Sequence, residues 1–131
     1  MSYTLKKSEI VRGKKRLQEI FTTGTEFEGS LLRSRVRIYP RKNEPRIKIG
    51  FIPGRSIKRA VDRNRVKRLM REAYRLHKSI LLQPALFSQH NIEVIFIYTP
   101  KVPAQIASLT LRETEADVKT ILKSITKRWF R

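Results

Sequence analysis

Residues 31–39, LLRSRVRIY, alternate with a period of two. Leu32, Val36 and Ile38 share one face, with Ser34 between them, while Arg33, Arg35, Arg37 and Tyr39 share the other. Successive side chains of a strand point to opposite faces. The segment is therefore a strand with one apolar face and one strongly basic face. Residues 46–52, RIKIGFI, alternate again, setting Arg46 and Lys48 opposite Ile47, Ile49 and Phe51. The intervening PRKNEP is a two-proline turn, so the two strands read as a hairpin whose outer face continues one basic surface. Like charges on neighbouring strands disfavour each other. Arg33, Arg35 and Arg37 beside Arg46 and Lys48 thus predict something anionic against that face.

The remaining periodicities place four more elements. IEVIFIY at 92–98 is rich in β-branched and aromatic residues and reads as a central strand. GKKRLQEIFTT at 13–23 sets Leu17, Ile20 and Phe21 at helical spacing, with Gly24 as the C-terminal cap. A second helix spans 57–78. A third spans 111–129, with the stripe Val118, Ile121, Leu122, Ile125 and Trp129 and capping-box spacing at Thr110 and Glu113. Residues 1–12 read as an extended lead-in, and 53–56, 83–91 and 99–105 as loops.

A chain of 131 residues suits one domain, taken as 1–131. It has no cysteine, which removes disulfides, thiol nucleophiles and Cys-bearing zinc sites together. No apolar run approaches the ~20 residues of a membrane span, and the N-terminus lacks a signal peptide's apolar segment. The expectation is a cytoplasmic protein. The net charge is +19 and unevenly spread: residues 1–78 hold 23 basic against 7 acidic residues, residues 79–131 hold 7 against 4. Self-repulsion opposes such an excess, and a polyanionic partner is the simplest compensation.

The densest charge lies in RNRVKRLMREAYR at 63–75, six Arg or Lys and one Glu in thirteen residues. On a helical wheel Val66, Leu69, Met70, Ala73 and Leu76 fall together. Asn64, Lys67, Arg68, Arg71, Arg75 and Lys78 fall opposite, with Arg63 at their margin. One face packs and the other is a basic ridge. A helix made only for solubility would interleave Glu and Lys four apart. Arginine presents a rigid fork of donors suited to phosphate oxygens, and residues three and four apart can follow a phosphate backbone. Arg65 sits at the face boundary, where pairing with a carboxylate or main-chain carbonyl competes with RNA contact.

That segment resembles the Arg-Asn-Arg signature of the bacterial ribonuclease P protein component. The resemblance extends over residues 5–129: a first helix with apolar residues four apart (Leu17, Phe21) closed by Gly24, a Gly-containing strand IKIGFI leading into the basic helix, then IEVIFIYTP and a C-terminal helix. Two departures stand out. Lys58 and Arg59 occupy positions where the family has Gly-Asn, and Leu17 stands where an aromatic is common.

The resemblance implies an α+β two-layer sandwich, with a central, mostly antiparallel sheet of about four strands, three helices and a left-handed β-α-β crossover. It implies an accessory subunit of a ribozyme endoribonuclease that removes the 5′ leader of precursor tRNA, with Mg2+ held mainly by the catalytic RNA and substrate. On that basis Arg59, Arg63, Asn64, Arg65, Lys67, Arg68, Arg71 and Arg75 are assigned to the RNA subunit. Lys14, Leu17, Phe21, Arg33, Arg35, Arg37, Tyr39 and Lys48 are assigned to the leader. Basic groups with a few rings suit a sequence-tolerant single-strand track, although Phe21 also fits core packing and Tyr39 a plain strand end. The expected partners are the catalytic ribonuclease P RNA and precursor tRNA, with no membrane and no obligate protein partner.

No residue is assigned to catalysis or to a metal. His77 and His90 are isolated, and no HExxH, Gly-rich phosphate loop or evident acid cluster for two-metal chemistry is present. The alternative is a non-catalytic structural RNA-binding protein of ribosomal type. A self-sufficient nuclease requires scattered acids to converge, and a duplex-DNA binder leaves the basic sheet face without a role.

Overall fold

The computed structural model describes residues 7–43, 45–54, 57–82, 89–99 and 109–129. Its elements are α1 (Lys14–Thr23), β1 (Thr25–Glu28), β2 (Leu32–Pro40), β3 (Ile47–Ile52), α2 (Ala60–His77), the short α3 (Ser79–Leu82), β4 (His90–Tyr98) and α4 (Leu111–Trp129). The sheet order is β1-β2-β4-β3. β1 and β4 both run antiparallel to β2, and β3 runs parallel to β4. The fold is thus α+β around a mostly antiparallel four-stranded sheet, with α2 and α3 carrying the chain across from β3 to its parallel neighbour β4.

The expected hairpin does not form. β2 and β3 are not neighbours, because β4 lies between them and pairs with both. The reason lies in β4 itself: Ile92, Val94 and Phe96 are buried on one face and Ile95 on the other. A strand apolar on both faces gains most from the middle of a sheet. β1 also escaped the reading. TEFE has only Phe27 as an apolar member, and an edge strand needs no more than that.

One face of the sheet carries the main core. Leu32, Val36, Ile47, Ile49, Ile92, Val94 and Phe96 pack under Val66, Met70, Ala73 and Tyr74 of α2 and Val118, Ile121, Leu122 and Ile125 of α4. Phe51, Tyr74 and Phe96 form a ring cluster with centroids about 6 Å apart. Leu76, expected in this core, is 41% exposed, and its place is taken by the fully buried Tyr74. α1 packs on the opposite face, where Val11, Ile20 and Ile95 form a second cluster with Leu17, Ile52 and Ile97.

Residues 7–9 form a short 3-10 turn, and Ile10 bridges to Ile49, so the lead-in partly covers the outer edge of β3. Lys78, placed on the basic ridge by the wheel, is instead buried at the end of α2 with its Nζ 3.6 Å from Glu9. Gly24 does cap α1, through its N–H to the Ile20 carbonyl, yet its φ of −77° is ordinary. What demands glycine there is space, since a Cβ would lie 2.4 Å from the Ile20 carbonyl oxygen. The loops at 83–88 and 100–105, and residues 55–56, lie outside the described residues. Among the described residues no helix is long and apolar enough to cross a membrane.

Candidate RNA interface

α2 begins without a side-chain cap, since Arg59 at its N-cap makes no such bond. Arg63 instead ties down the chain that leads into the helix. Its Nη1 donates to the carbonyls of Ile57 (3.3 Å) and Lys58 (2.5 Å), closing the loop where Lys58 and Arg59 replace Gly-Asn. Arg65 turns the other way and donates from Nη2 to the Leu109 carbonyl at 2.7 Å, tying α2 to the start of α4. A main-chain carbonyl is thus one of its partners at the face boundary. Arg75 is clamped to Glu72 one turn back, which raises the guanidinium pKa and lowers that of the carboxyl. Arg59 reaches Asp62 only loosely, at 3.9 Å.

What remains of the ridge is its middle. Asn64, Lys67, Arg68 and Arg71 are exposed, and among the described residues no carboxylate pairs with Lys67, Arg68 or Arg71. These three cations lie within one and a half turns, a spacing that several neighbouring phosphates of a folded RNA can meet at once.

The second basic surface is the sheet face beneath α1. Arg33, Arg35, Arg37 and Tyr39 of β2 point to this side, as do Lys48 of β3 and Glu93 of β4. Register sets Arg37, Glu93 and Lys48 in one row across three strands. Glu93 is fully buried, and its carboxylate accepts from Arg16 Nη1 at 2.9 Å and Arg37 Nε at 2.7 Å. Arg37 Nη1 also donates to Glu19 of α1 at 3.1 Å. Burial alone would lower the Arg37 pKa, but hydrogen bonds and charge from Glu93 and Glu19 outweigh it and leave it raised. The anion that the sequence demanded against this face is thus supplied in part by the chain itself.

The other two β2 arginines are also engaged. Arg35 Nη1 donates to the Gly24 carbonyl at 3.0 Å. Arg33 lies 3.2 Å from Glu28 and 3.7 Å from Glu26 of β1. Tyr39 sits beneath two cations, with the Arg37 guanidinium 4.9 Å and Lys42 Nζ 5.3 Å from its ring centre. Along α1, Lys14 is exposed, Leu17 is half-buried against the sheet, and Phe21 is 38% exposed. Phe21 therefore faces outward rather than into the core. A shallow cavity of about 380 Å³ opens where β1 stops short of β2, lined by Thr23, Thr25, Arg37, Tyr39 and Trp129. All eight residues assigned to the second surface lie on α1 or on strands β2 and β3 beside it.

The sequence reading missed Glu93, Arg16 and Glu19 as parts of this surface. A signal existed: Glu93 is the sole charged residue in an otherwise apolar central strand, and such a group in a core requires a partner. Other acids among the described residues have structural employment too. Asp117 accepts from the main-chain N–H groups of Ser30, Leu31 and Leu32 at 2.8, 3.1 and 2.8 Å. Glu115 meets His77 Nε2 at 2.7 Å. Among the described residues no three or more His, Asp or Glu side chains gather to hold a metal ion. The described residues thus offer no such ligand set for a resident Mg2+.

Comparison with known proteins agrees with this architecture. The family model for ribonuclease P matches residues 5–126. The ribonuclease P protein component of Chlorobaculum tepidum is 37% identical over 92% of this chain and 82% of its own length. That of Dictyoglomus thermophilum is 33% identical over 75% of this chain and 73% of its own length. Among solved structures, the ribonuclease P protein from Thermotoga maritima superposes with a TM-score of 0.69 at 18% identity, covering 88% of this chain and 96% of that one. The Staphylococcus aureus protein superposes at 0.67 and 18% identity, covering 89% and 94%. Fold, motif order and sequence similarity over nearly the full length converge, and the chain belongs to the ribonuclease P family as its protein component.

Proposed function

We propose that the chain docks on the catalytic RNA subunit through the α2 ridge and guides the 5′ leader of precursor tRNA along the face between α1 and β2. In this reading the RNA performs the cut. Water attacks the phosphodiester at the junction of leader and mature tRNA, and the 5′-phosphate stays on the mature tRNA. Mg2+ is held by RNA and substrate, and the protein's part is to bind, align and neutralise. The assembly works in the cytoplasm, where precursor tRNA is made.

The observation that carries this reading is the contrast between the two basic surfaces. The ridge presents Lys67, Arg68 and Arg71 without counter-ions among the described residues, as a surface kept for a structured polyanion requires. The α1–β2 face combines arginines with Phe21 and Tyr39, as a single-strand track requires. The test is cleavage of precursor tRNA at low Mg2+ by the protein alone, a bacterial ribonuclease P RNA alone, and both. Cleavage at the mature 5′ end only with both is expected. Cleavage by the protein unaided, or no gain over the RNA, would overturn the reading.

A further inference from the structure

The two basic surfaces differ in how their charge is held. On the α2 ridge, Lys67, Arg68 and Arg71 are exposed and meet no carboxylate among the described residues. On the β2 face every arginine already has an intramolecular acceptor: Arg33 has Glu28 and Glu26, Arg35 has the Gly24 carbonyl, and Arg37 has Glu93 and Glu19. Four of the chain's eleven acids gather on this one face. They are of two kinds. Glu93 is fully buried and no solvent-borne ion can replace it. Glu19, Glu26 and Glu28 have side chains 46, 42 and 44% exposed, so an incoming phosphate can take their places.

We infer that Glu19, Glu26 and Glu28 are specificity-determining residues that occupy Arg33 and the outer side of Arg37 until several phosphates of one strand displace them together. This inference rests on the leader-track reading above. Exchanging an exposed carboxylate for a phosphate trades one charge-assisted pair for another, so a single contact gains little. An unattached single strand must make several such exchanges and lose its translational freedom as well. A leader belonging to a precursor already docked through the rest of its RNA meets the face at a high effective concentration, and the exchanges then favour it. The acids thereby lower the affinity of this face for stray RNA more than for the leader of a docked substrate. Glu93 has a different part: it holds Arg16 and Arg37 from within and keeps α1 at a set height above the sheet.

The test uses the full chain with Glu19→Gln, Glu26→Gln and Glu28→Gln combined, and a second variant with Arg33→Gln, Arg35→Gln and Arg37→Gln. Two quantities are measured over a salt series. One is binding of an unattached single-stranded RNA oligonucleotide of leader sequence. The other is holoenzyme binding of precursor tRNA against the same tRNA lacking its leader. The glutamate variant is expected to bind the free oligonucleotide about tenfold tighter, with a log–log salt slope steeper by roughly 0.7 for each arginine freed. Its holoenzyme gains less than that for precursor tRNA. If the arginine variant loses leader binding while the glutamate variant leaves oligonucleotide affinity and slope unchanged, this inference is overturned and the leader track stands. If the arginine variant binds leader as before, the track reading fails and takes the inference with it. Should the triple glutamate variant lose its cooperative melt, Glu19→Gln and Glu28→Gln singly carry the same test, each with an expected gain of about twofold.

Discussion

Arg37 and Glu93 stand directly opposite each other on β2 and β4, and two guanidinium nitrogens of Arg37 meet one Glu93 oxygen at 2.7 and 2.5 Å. The pair is the inner half of a latch. Arg16 of α1 reaches in to Glu93, and Arg37 reaches out to Glu19 of α1, so helix and sheet hold each other through reciprocal charges. Removing the carboxylate strands two arginines beside a buried row. Glu93→Ala is expected to cost about 3 kcal/mol in urea unfolding, the lower end for breaking a buried pair, because both arginines keep some solvent. Glu93→Asp should recover part of it. A loss under about 1 kcal/mol would show that the latch does not secure α1.

Asp117 and Gly29 form a second long-range tie. Three main-chain N–H groups converge on the carboxylate, and a Cβ on Gly29 would lie 2.3 Å from its Oδ2. Asp117→Ala leaves those donors unmet and is expected to cost about 2–3 kcal/mol. Gly29→Ala should be costly alone and cheaper when Asp117 is already Ala. A double-mutant cycle by chemical denaturation checks this, and strict additivity would contradict the geometry.

Arg68 is exposed in the open part of the ridge. Arg68→Ala should weaken binding to the catalytic RNA about tenfold and reduce the magnitude of the salt slope by about 1, with much less effect on leader binding. Filter binding with each RNA over a salt series separates the two. Equal losses on both would mean that the surfaces are divided wrongly.

Tyr74 is buried in the ring cluster, and burial, with a smaller push from the Glu9 charge, raises its phenol pKa well above the ordinary value near 10. The folded state therefore holds its proton more tightly than the unfolded chain. The associated stability is fully present below about pH 10 and is lost as pH rises through the folded value. Stability should fall above about pH 10, and Tyr74→Phe should flatten that fall. The tyrosinate absorbance of the native protein checks it independently: Tyr74 should stay silent until unfolding, and early titration would contradict its burial.

Much of this fold was legible because its signals are local. The apolar stripe of α4, its Thr110–Glu113 cap, now seen as the Glu113 N–H on Thr110 Oγ1 at 3.2 Å, and the alternation of β2 and β3 are each written within a few residues. The basic ridge was legible for the same reason. What escaped is non-local. Nothing in LLRSRVRIY or RIKIGFI says that a strand forty residues further on will part them, since alternation fixes the face of a strand and not its neighbour. The wheel put Lys78 outside and Leu76 inside because it cannot see Glu9 approach from the lead-in. The counter-ions of Arg33 and Arg37 come from α1, β1 and β4, and only the assembled sheet brings them together.

The place of β4 also bears on how the chain is made. β2 and β3 have no pairing with each other, and both pair with residues 90–98. During vectorial synthesis the N-terminal half emerges with its arginines and only the β1–β2 pair and the partners within α1 and α2 available to order them. The sheet, and with it the carboxylate that disciplines Arg16 and Arg37, closes only after Glu93 has left the ribosome. Until then the nascent chain is a cationic polymer among ribosomal RNA, and its final third, itself net positive, brings the strand that completes the sheet and the one buried carboxylate that seats Arg16 and Arg37.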